Sequence, residues 1–414
     1  LSRLSNYLEI FKSRRIGATA LLGFASGLPL ALTGGTLQAW MAVDGVDIRT
    51  IGIFALVGLP YTIKFLWSPI MDRFAPPMLG RRRGWIILTQ MCLAIGISLM
   101  AFGSPKNGTY LLGILALTVA FASASQDIVI DAYRTDVLRE KERGAGAAVF
   151  VMGYRIAMLV SGALALVLSD RIGWQNTYLL MAGIMSIGII SALIGPEPEQ
   201  KAIPPKNLQD AVLGPLKDYF SRKAAILLLL LIILYKLGDA YAGTLTTAFL
   251  IKGIGFSPTD VGTINKGLGL ISLIIGAIFG GALMARLGLF KSLLLFGLLQ
   301  AVSNLSFMVL AWIGKSYGML IFAVAFENLS GGMGTSAFIA LLMTMCNQRY
   351  SATQYALLSS LAALGRIFVA PSSGFIVQST GWPVFFFITA LAAMPGLWLL
   401  LKMKDTITDL KSSG

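Results

Sequence analysis

The sequence contains no histidine, and only two cysteines, Cys92 and Cys346, in 414 residues. Without histidine it lacks both the commonest metal ligand and the usual proton-transfer group near neutral pH. Any proton carrier must therefore be a carboxylate. Two cysteines in or beside apolar runs make neither a disulfide framework nor a metal site. Charge is also scarce. Asp, Glu, Lys and Arg make up 13% of the chain, against roughly 25% in soluble domains. There is no Walker-type nucleotide loop and no polar region large enough for an ATPase, so ATP coupling is excluded. The stretch up to Arg15 is polar and basic and lacks the short apolar core and cleavage site of a leader. No cleaved signal peptide is expected.

Apolar sequence fills the space that charge leaves. The chain is 56% hydrophobic with mean hydropathy +0.77, more than a soluble core can bury, so the bilayer is its solvent. A span needs about 20 mostly apolar residues. Twelve are predicted, at 16–43, 51–70, 84–103, 109–133, 145–168, 175–195, 224–250, 261–285, 290–312, 317–346, 352–377 and 383–402. The long polar, proline-containing stretch 196–223 separates six spans from six. This predicts an N-terminal bundle over 1–195, a linker over 196–223 and a C-terminal bundle over 224–414.

The net charge of +14 could suggest nucleic acid, but its distribution excludes that. Of the 33 Lys and Arg residues, 23 lie in loops and tails on one side and 5 on the other. The positive-inside rule puts both termini and the linker in the cytoplasm.

The halves repeat. Gly35-Thr36-Leu37 matches Gly243-Thr244-Leu245 at an offset of 208, and Gly173-Trp174 matches Gly381-Trp382 at the same offset. Arg155-Ile156 resembles Arg366-Ile367 at an offset of 211. Parallel six-span halves with a substrate site near the midplane describe the major facilitator architecture.

The remaining charges sit inside the spans: Lys64, Arg155, Lys236, Lys266 and Arg366, with Asp127, Asp131, Asp239 and Glu327. Each costs about 2.5–3.5 kcal/mol at bilayer depth on insertion scales. Such residues pair, line a watery cavity or handle cargo. Arg155 and Arg366 lie near mid-span, at about 1.5 Å rise per residue. They either grip cargo carboxylates through two parallel hydrogen bonds or pair with Asp127, Glu327 or Asp239. Lys236 and Asp239, three apart, share a helix face, as a local pair or a binding element. Lys64 is a ligand or snorkels to the boundary. Lys266, about one turn into its span, reads as an outer-gate residue. Gln38, Gln126 and Asn328 could read hydroxyl and amide groups or bind helices together. Asp127 and Asp131, four apart, share a face. Desolvation and mutual repulsion would favour protonating one of them. Asp127 is the expected proton site, with Glu327 as the next candidate; Asp131, near Arg134 and the membrane edge, is a dyad partner, a gate residue or a helix-end salt bridge. The glycine-rich run 331–334 marks either a break at a binding site or close helix packing.

The loop after span 2, Ser68-Pro-Ile-Met-Asp72-Arg73-Phe74 running to Gly80-Arg81-Arg82-Arg83, resembles the major facilitator gate signature Gly-x-x-x-Asp-Arg-x-Gly-Arg-Arg. Asp72 and Arg73 carry over. The insertion 74–79 leaves the roles of Arg81 to Arg83 open.

Longer stretches carry a closer resemblance: Gly23-Phe-Ala-Ser-Gly-Leu-Pro29, Lys64-Phe-Leu-Trp67-Ser-Pro69, Ser123-Ala-Ser-Gln126-Asp127, Leu234-Tyr-Lys236-Leu-Gly-Asp239 and Phe326-Glu327-Asn328. Together they resemble the AmpG-type muropeptide permeases of Gram-negative bacteria, over about residues 7 to 402. Some members of that family carry two further C-terminal spans; twelve are read here. The resemblance implies a proton-coupled importer in the inner membrane. Its cargo would be anhydro-muropeptide, used in peptidoglycan recycling, and its supply would feed β-lactamase induction. A monomer in the lipid bilayer is expected, with protons as the energy source, no catalytic residue, no metal and no cofactor. The competing readings are a carrier for another organic anion or glycoconjugate, a membrane-embedded enzyme acting on lipid-linked glycans, and a non-transporting sensor.

Overall fold

The computed structural model of the chain describes residues 13–68, 80–139, 142–196, 224–345 and 351–410, with 71, 76, 220 and 221. The fold is all-helical. Among the described residues, nine stretches are long and apolar enough to cross a membrane. One of them, Val149–Ile194, holds two predicted spans and turns at Gly173 (φ 81°, ψ 163°). Tyr317–Thr344 is a 28-residue helix whose hydropathy Glu327, Asn328 and four glycines dilute. Span 2 is not one continuous helix. It begins as a short apolar helix, Ile48–Ile63, in which 3-10 geometry over Phe54–Gly58 precedes Pro60. Proline removes a helix hydrogen bond and clashes with the preceding turn.

The chain forms two compact units. The first comprises Leu1–Asp44 and Val57–Pro204, the second Gly45–Leu56 and Pro205–Gly414. In the first, α1 (Arg14–Thr33) is interrupted at Gly34 (φ −109°, ψ −111°) and continues as α2 (Gly35–Val43). Pro29 lies inside α1, and its carbonyl accepts a hydrogen bond from Thr33 Oγ1 at 3.0 Å. The next helix, α3 (Ile48–Ile53), belongs to the second unit. Then come α4 (Leu59–Ile63), α5 (Arg81–Ala101), α6 (Thr109–Val137), α7 (Arg143–Met158), α8 (Ala165–Ile184) and α9 (Ser186–Ile194). Gly23 and Gly27, one turn apart, bring α1 against the backbone of α7. A Cβ on Gly27 would lie 2.5 Å from the Tyr154 carbonyl oxygen, and one on Gly153 would lie 3.0 Å from the Phe24 nitrogen. Small residues allow such approach where hydrophobic collapse cannot drive association in lipid. Ile16, Leu22, Ile86, Val129 and Tyr133 fill the core beside this seam.

In the second unit, α10 (Ala225–Tyr235) and α11 (Leu237–Ala248) are separated by Lys236 (φ −97°, ψ 1°). Then follow α12 (Gly269–Leu287), α13 (Leu289–Ile313), α14 (Tyr317–Thr344), α15 (Ser351–Thr380), α16 (Trp382–Ala392) and α17 (Met394–Lys402). Gly276 and Gly280 of α12 meet α14 as Gly23 and Gly27 meet α7. A Cβ on Gly280 would lie 2.6 Å from the Cα of Met333, and one on Gly332 would lie 2.8 Å from the nitrogen of Ala277. The run 331–334 therefore stays helical and serves close packing. Helix α3 packs on α15, where a Cβ on Gly52 would lie 3.1 Å from the nitrogen of Gly374.

The internal repeat is visible in the backbone. Gly80, Gly173, Gly288 and Gly381 share φ 79–82° and ψ 163–169°. Only glycine adopts that conformation without strain. Gly288 and Gly381 each follow their counterparts by 208 positions, the offset found in the sequence.

Candidate functional site

Each unit contains its own buried polar cluster. In the first, Asp127 sits two-thirds of the way along α6. Ser26 Oγ of α1 donates to its Oδ1 at 2.5 Å, and Lys64 Nζ lies 3.8 Å from its Oδ2. Their side chains are 19% and 33% exposed, so the pair is shielded but reachable. Gln126 beside it is fully buried, and its amide donates to the Ala25 carbonyl at 3.2 Å. That bond ties α6 to α1. Trp67 Nε1 donates to Ser125 Oγ at 3.0 Å and its ring packs on Phe121. Asp131 does not join Asp127. One turn further on, its side chain is 52% exposed and 3.2 Å from Arg134. Shared helix face did not mean shared depth.

Arg155 is half-buried on α7, and Gln38 is half-buried on α2. Among the described residues, neither side chain has an ion-pair or hydrogen-bond partner. The pairing of Arg155 with Asp127 is not formed, since Asp127 is taken by Ser26 and Lys64.

The second cluster surrounds the interruption in span 7. Lys236 occupies the break, and Asp239 lies in the first turn of α11, where the helix dipole favours an anion. Lys236 Nζ is 3.3 Å from Asp239 Oδ2 and 3.5 Å from Thr335 Oγ1 of α14, and lies over the Phe338 ring. Gln300 of α13 donates its amide to the same Oδ2. Further along α14, Asn328 Nδ2 donates to Glu327 Oε2 at 2.6 Å and to the Val324 carbonyl at 2.9 Å. Lys266 lies in a π-helical turn, Val261–Leu268, and donates to Thr247 Oγ1 at 2.9 Å. Such π turns recur at functional sites. Arg366 lies on α15, but its side chain is outside the described residues, as are Asp72 and Arg73.

The arginines after the gate loop have defined partners. Arg82, 7% exposed, pairs with Asp136 at 3.0 Å. Arg83 donates to the carbonyls of Ala192 (2.6 Å) and Leu193 (3.0 Å), and Arg14 to that of Ile194 (3.0 Å). Tyr133 donates to Pro196 at 2.8 Å. Two arginines thus satisfy the orphan carbonyls at the end of α9, and Tyr133 holds the chain just beyond it.

Sequence reasoning missed Ser26, Thr247, Thr335 and Gln300, because single hydroxyl or amide residues inside apolar helices carry no periodic signal. Among the described residues, no group of three Asp, Glu or Cys side chains could hold a metal ion.

A multi-pass helical bundle duplicated at 208 residues, with buried charges at helix interruptions, is the form of a secondary transporter. The chain belongs to the Major Facilitator Superfamily, whose signature matches residues 19–370 and 241–413. It is 54% identical over 404 residues to the anhydromuropeptide permease of Escherichia coli, covering 97% of this chain and 82% of that protein. It is 34% identical over 409 residues to transporter AmpG 4 of Rickettsia felis, covering 96% and 99%. Among solved structures, the nucleoside transporter NupG matches with TM-score 0.74 at 14% identity, covering 94% of this chain and 99% of that one. The peptide transporter POT in complex with sulfate also matches with TM-score 0.74 at 14% identity, covering 96% and 95%. At that identity these two carry the fold alone. The chain is a transporter and not an enzyme, and the reading as a lipid-linked glycan transferase falls.

Proposed function

We propose that this chain is a permease that carries anhydro-muropeptides from periplasm to cytoplasm by alternating access, driven by protons. The identity of 54% with the anhydromuropeptide permease, over nearly all of this chain, carries the cargo assignment. The polar clusters suit such cargo. It presents carboxylates on its peptide and hydroxyl and amide groups on its sugars. Arg155 supplies an uncommitted cation, and Lys236, Asp239, Gln38 and Asn328 supply donors and acceptors. Arg366 is assigned the same role as Arg155 by the repeat.

Asp127 is the proposed proton site. Protonation would release Lys64 and loosen the tie through Ser26 to α1, coupling charge to helix contact. Glu327 is the second carboxylate of the pathway, and Asp131 acts with Arg134 at the exposed end of α6. Asp72, Arg73 and Lys266 are assigned to the gates. A membrane potential of about 150 mV supplies roughly 3.5 kcal/mol per charge, enough for accumulation of about a few hundredfold. The excess of loop cations on one side orients both termini, and the linker 196–223 between bundles 1–195 and 224–414, to the cytoplasm. Function in cell-wall recycling in the inner membrane, with supply to β-lactamase induction, follows from the cargo.

The test is uptake of labelled N-acetylglucosaminyl-anhydro-N-acetylmuramyl peptide into proteoliposomes, with and without an inward proton gradient. Gradient-driven accumulation, displaced by unlabelled muropeptide and not by sugar phosphate, is expected. Uptake of sugar phosphate with none of muropeptide would replace this cargo by another organic anion.

A further inference from the structure

Gln300 is 3% exposed inside an apolar helix. A buried amide without a partner costs about 1–3 kcal/mol, and Gln300 avoids that cost. Its amide nitrogen donates to Asp239 Oδ2, the oxygen that Lys236 Nζ also approaches at 3.3 Å. Two donors on one oxygen leave Oδ1 with no hydrogen-bond partner among the described residues, on a side chain 28% exposed. Gly334 of α14 makes room for this arrangement. A Cβ there would lie 2.5 Å from the Gln300 amide carbon.

A second buried glutamine serves as a comparison. Gln90, 210 positions earlier, is 0% exposed and also faces a helical glycine, Gly188. Neither of its amide atoms has a hydrogen-bond partner among the described residues. One of these two buried amides serves a carboxylate and the other does not.

We infer that Gln300 is a positioning residue: with Lys236 it occupies Oδ2 of Asp239 and turns Oδ1 outward as the acceptor for an N–H donor of the cargo, an ammonium or amide group. This inference rests on the muropeptide reading above. Asp239 then recognises the nitrogen groups of the cargo.

The test uses the full chain in proteoliposomes with labelled anhydro-muropeptide, comparing wild type, Gln300→Met, Asp239→Asn, the double variant and Gln90→Met. Gln300→Met should raise KM about tenfold with maximal rate within about twofold. In the Asp239→Asn background it should add less than about twofold, because the carboxylate it positions is gone. Gln90→Met should leave KM unchanged. If Gln300→Met does not fold, Gln300→Asn, one methylene short of the carboxylate, should raise KM in the same direction. An unchanged KM in Gln300→Met, or in Gln300→Asn where that variant replaces it, overturns the inference, as does a loss that multiplies fully in the double variant. A wild type that takes up no muropeptide overturns the cargo reading and this inference with it. An active wild type indifferent to Gln300 overturns the inference alone.

Discussion

Replacing Arg155 with alanine separates binding from folding more cleanly than any other single change. Most buried cations in this chain hold something. Lys64 faces Asp127, Lys236 faces Asp239, and Arg82 faces Asp136. Removing one of those strands a carboxylate in the bundle. Arg155 has no such dependant among the described residues, so Arg155→Ala orphans no internal group. It even removes a charge costing about 2.5–3.5 kcal/mol at bilayer depth on insertion scales. The melting temperature of the purified protein should therefore hold or rise. The loss should appear in binding. A hydrogen bond to a charged group contributes about 1.5–3 kcal/mol. At about 1.4 kcal/mol per decade, KM for a carboxylate-bearing muropeptide should rise roughly 10- to 100-fold. The same muropeptide with its stem carboxylates amidated should change little. Uptake of both compounds, measured beside a melting curve, decides the matter. Equal losses for the two cargoes, or a clear fall in melting temperature, would refute the assignment of Arg155 to the cargo.

Asp127→Asn should abolish stimulation of uptake by a proton gradient while leaving muropeptide exchange across equilibrated vesicles intact; persisting stimulation would remove Asp127 from coupling. Gly332→Val should push α14 off the backbone of α12 and cost about 1–3 kcal/mol, read as a lowered melting temperature. Gly381→Ala, placed at φ 80° and ψ 169°, should cost about 1–3 kcal/mol through backbone strain alone, with KM unchanged in the fraction that folds. Arg83→Met should free the carbonyls of Ala192 and Leu193, and hydrogen exchange should quicken over the last turn of α9 and not in α5.

The apolar runs made the spans legible, because a bilayer imposes length on a helix whatever its neighbours do. Charged residues inside those runs were legible for the same reason. Their partners were not. Asp136 lies 54 positions from Arg82 and Ser26 lies 101 from Asp127, and no local pattern reports such distances. Spacing placed Asp131 on the face of Asp127, while its nearness to Arg134 and the membrane edge pointed to a helix-end ion pair, the form it takes. The defect at Pro60 was not read from the sequence, because the 3-10 segments around it depend on what packs there. The glycines at 80 and 288 repeat at the same offset as the matches noticed in the sequence. With only the preceding leucine in common, they became evident through their shared backbone angles.

The glycine contacts between α1 and α7, and between α12 and α14, have a mechanical corollary. Main chain lies against main chain along these two joints, with no side-chain cushion to slide on. Each pair must travel as one stiff lever during transport. Flexing falls to places where helical hydrogen bonding is already interrupted, such as Gly34 in one unit and Lys236 in the other, and the second of these carries a charge.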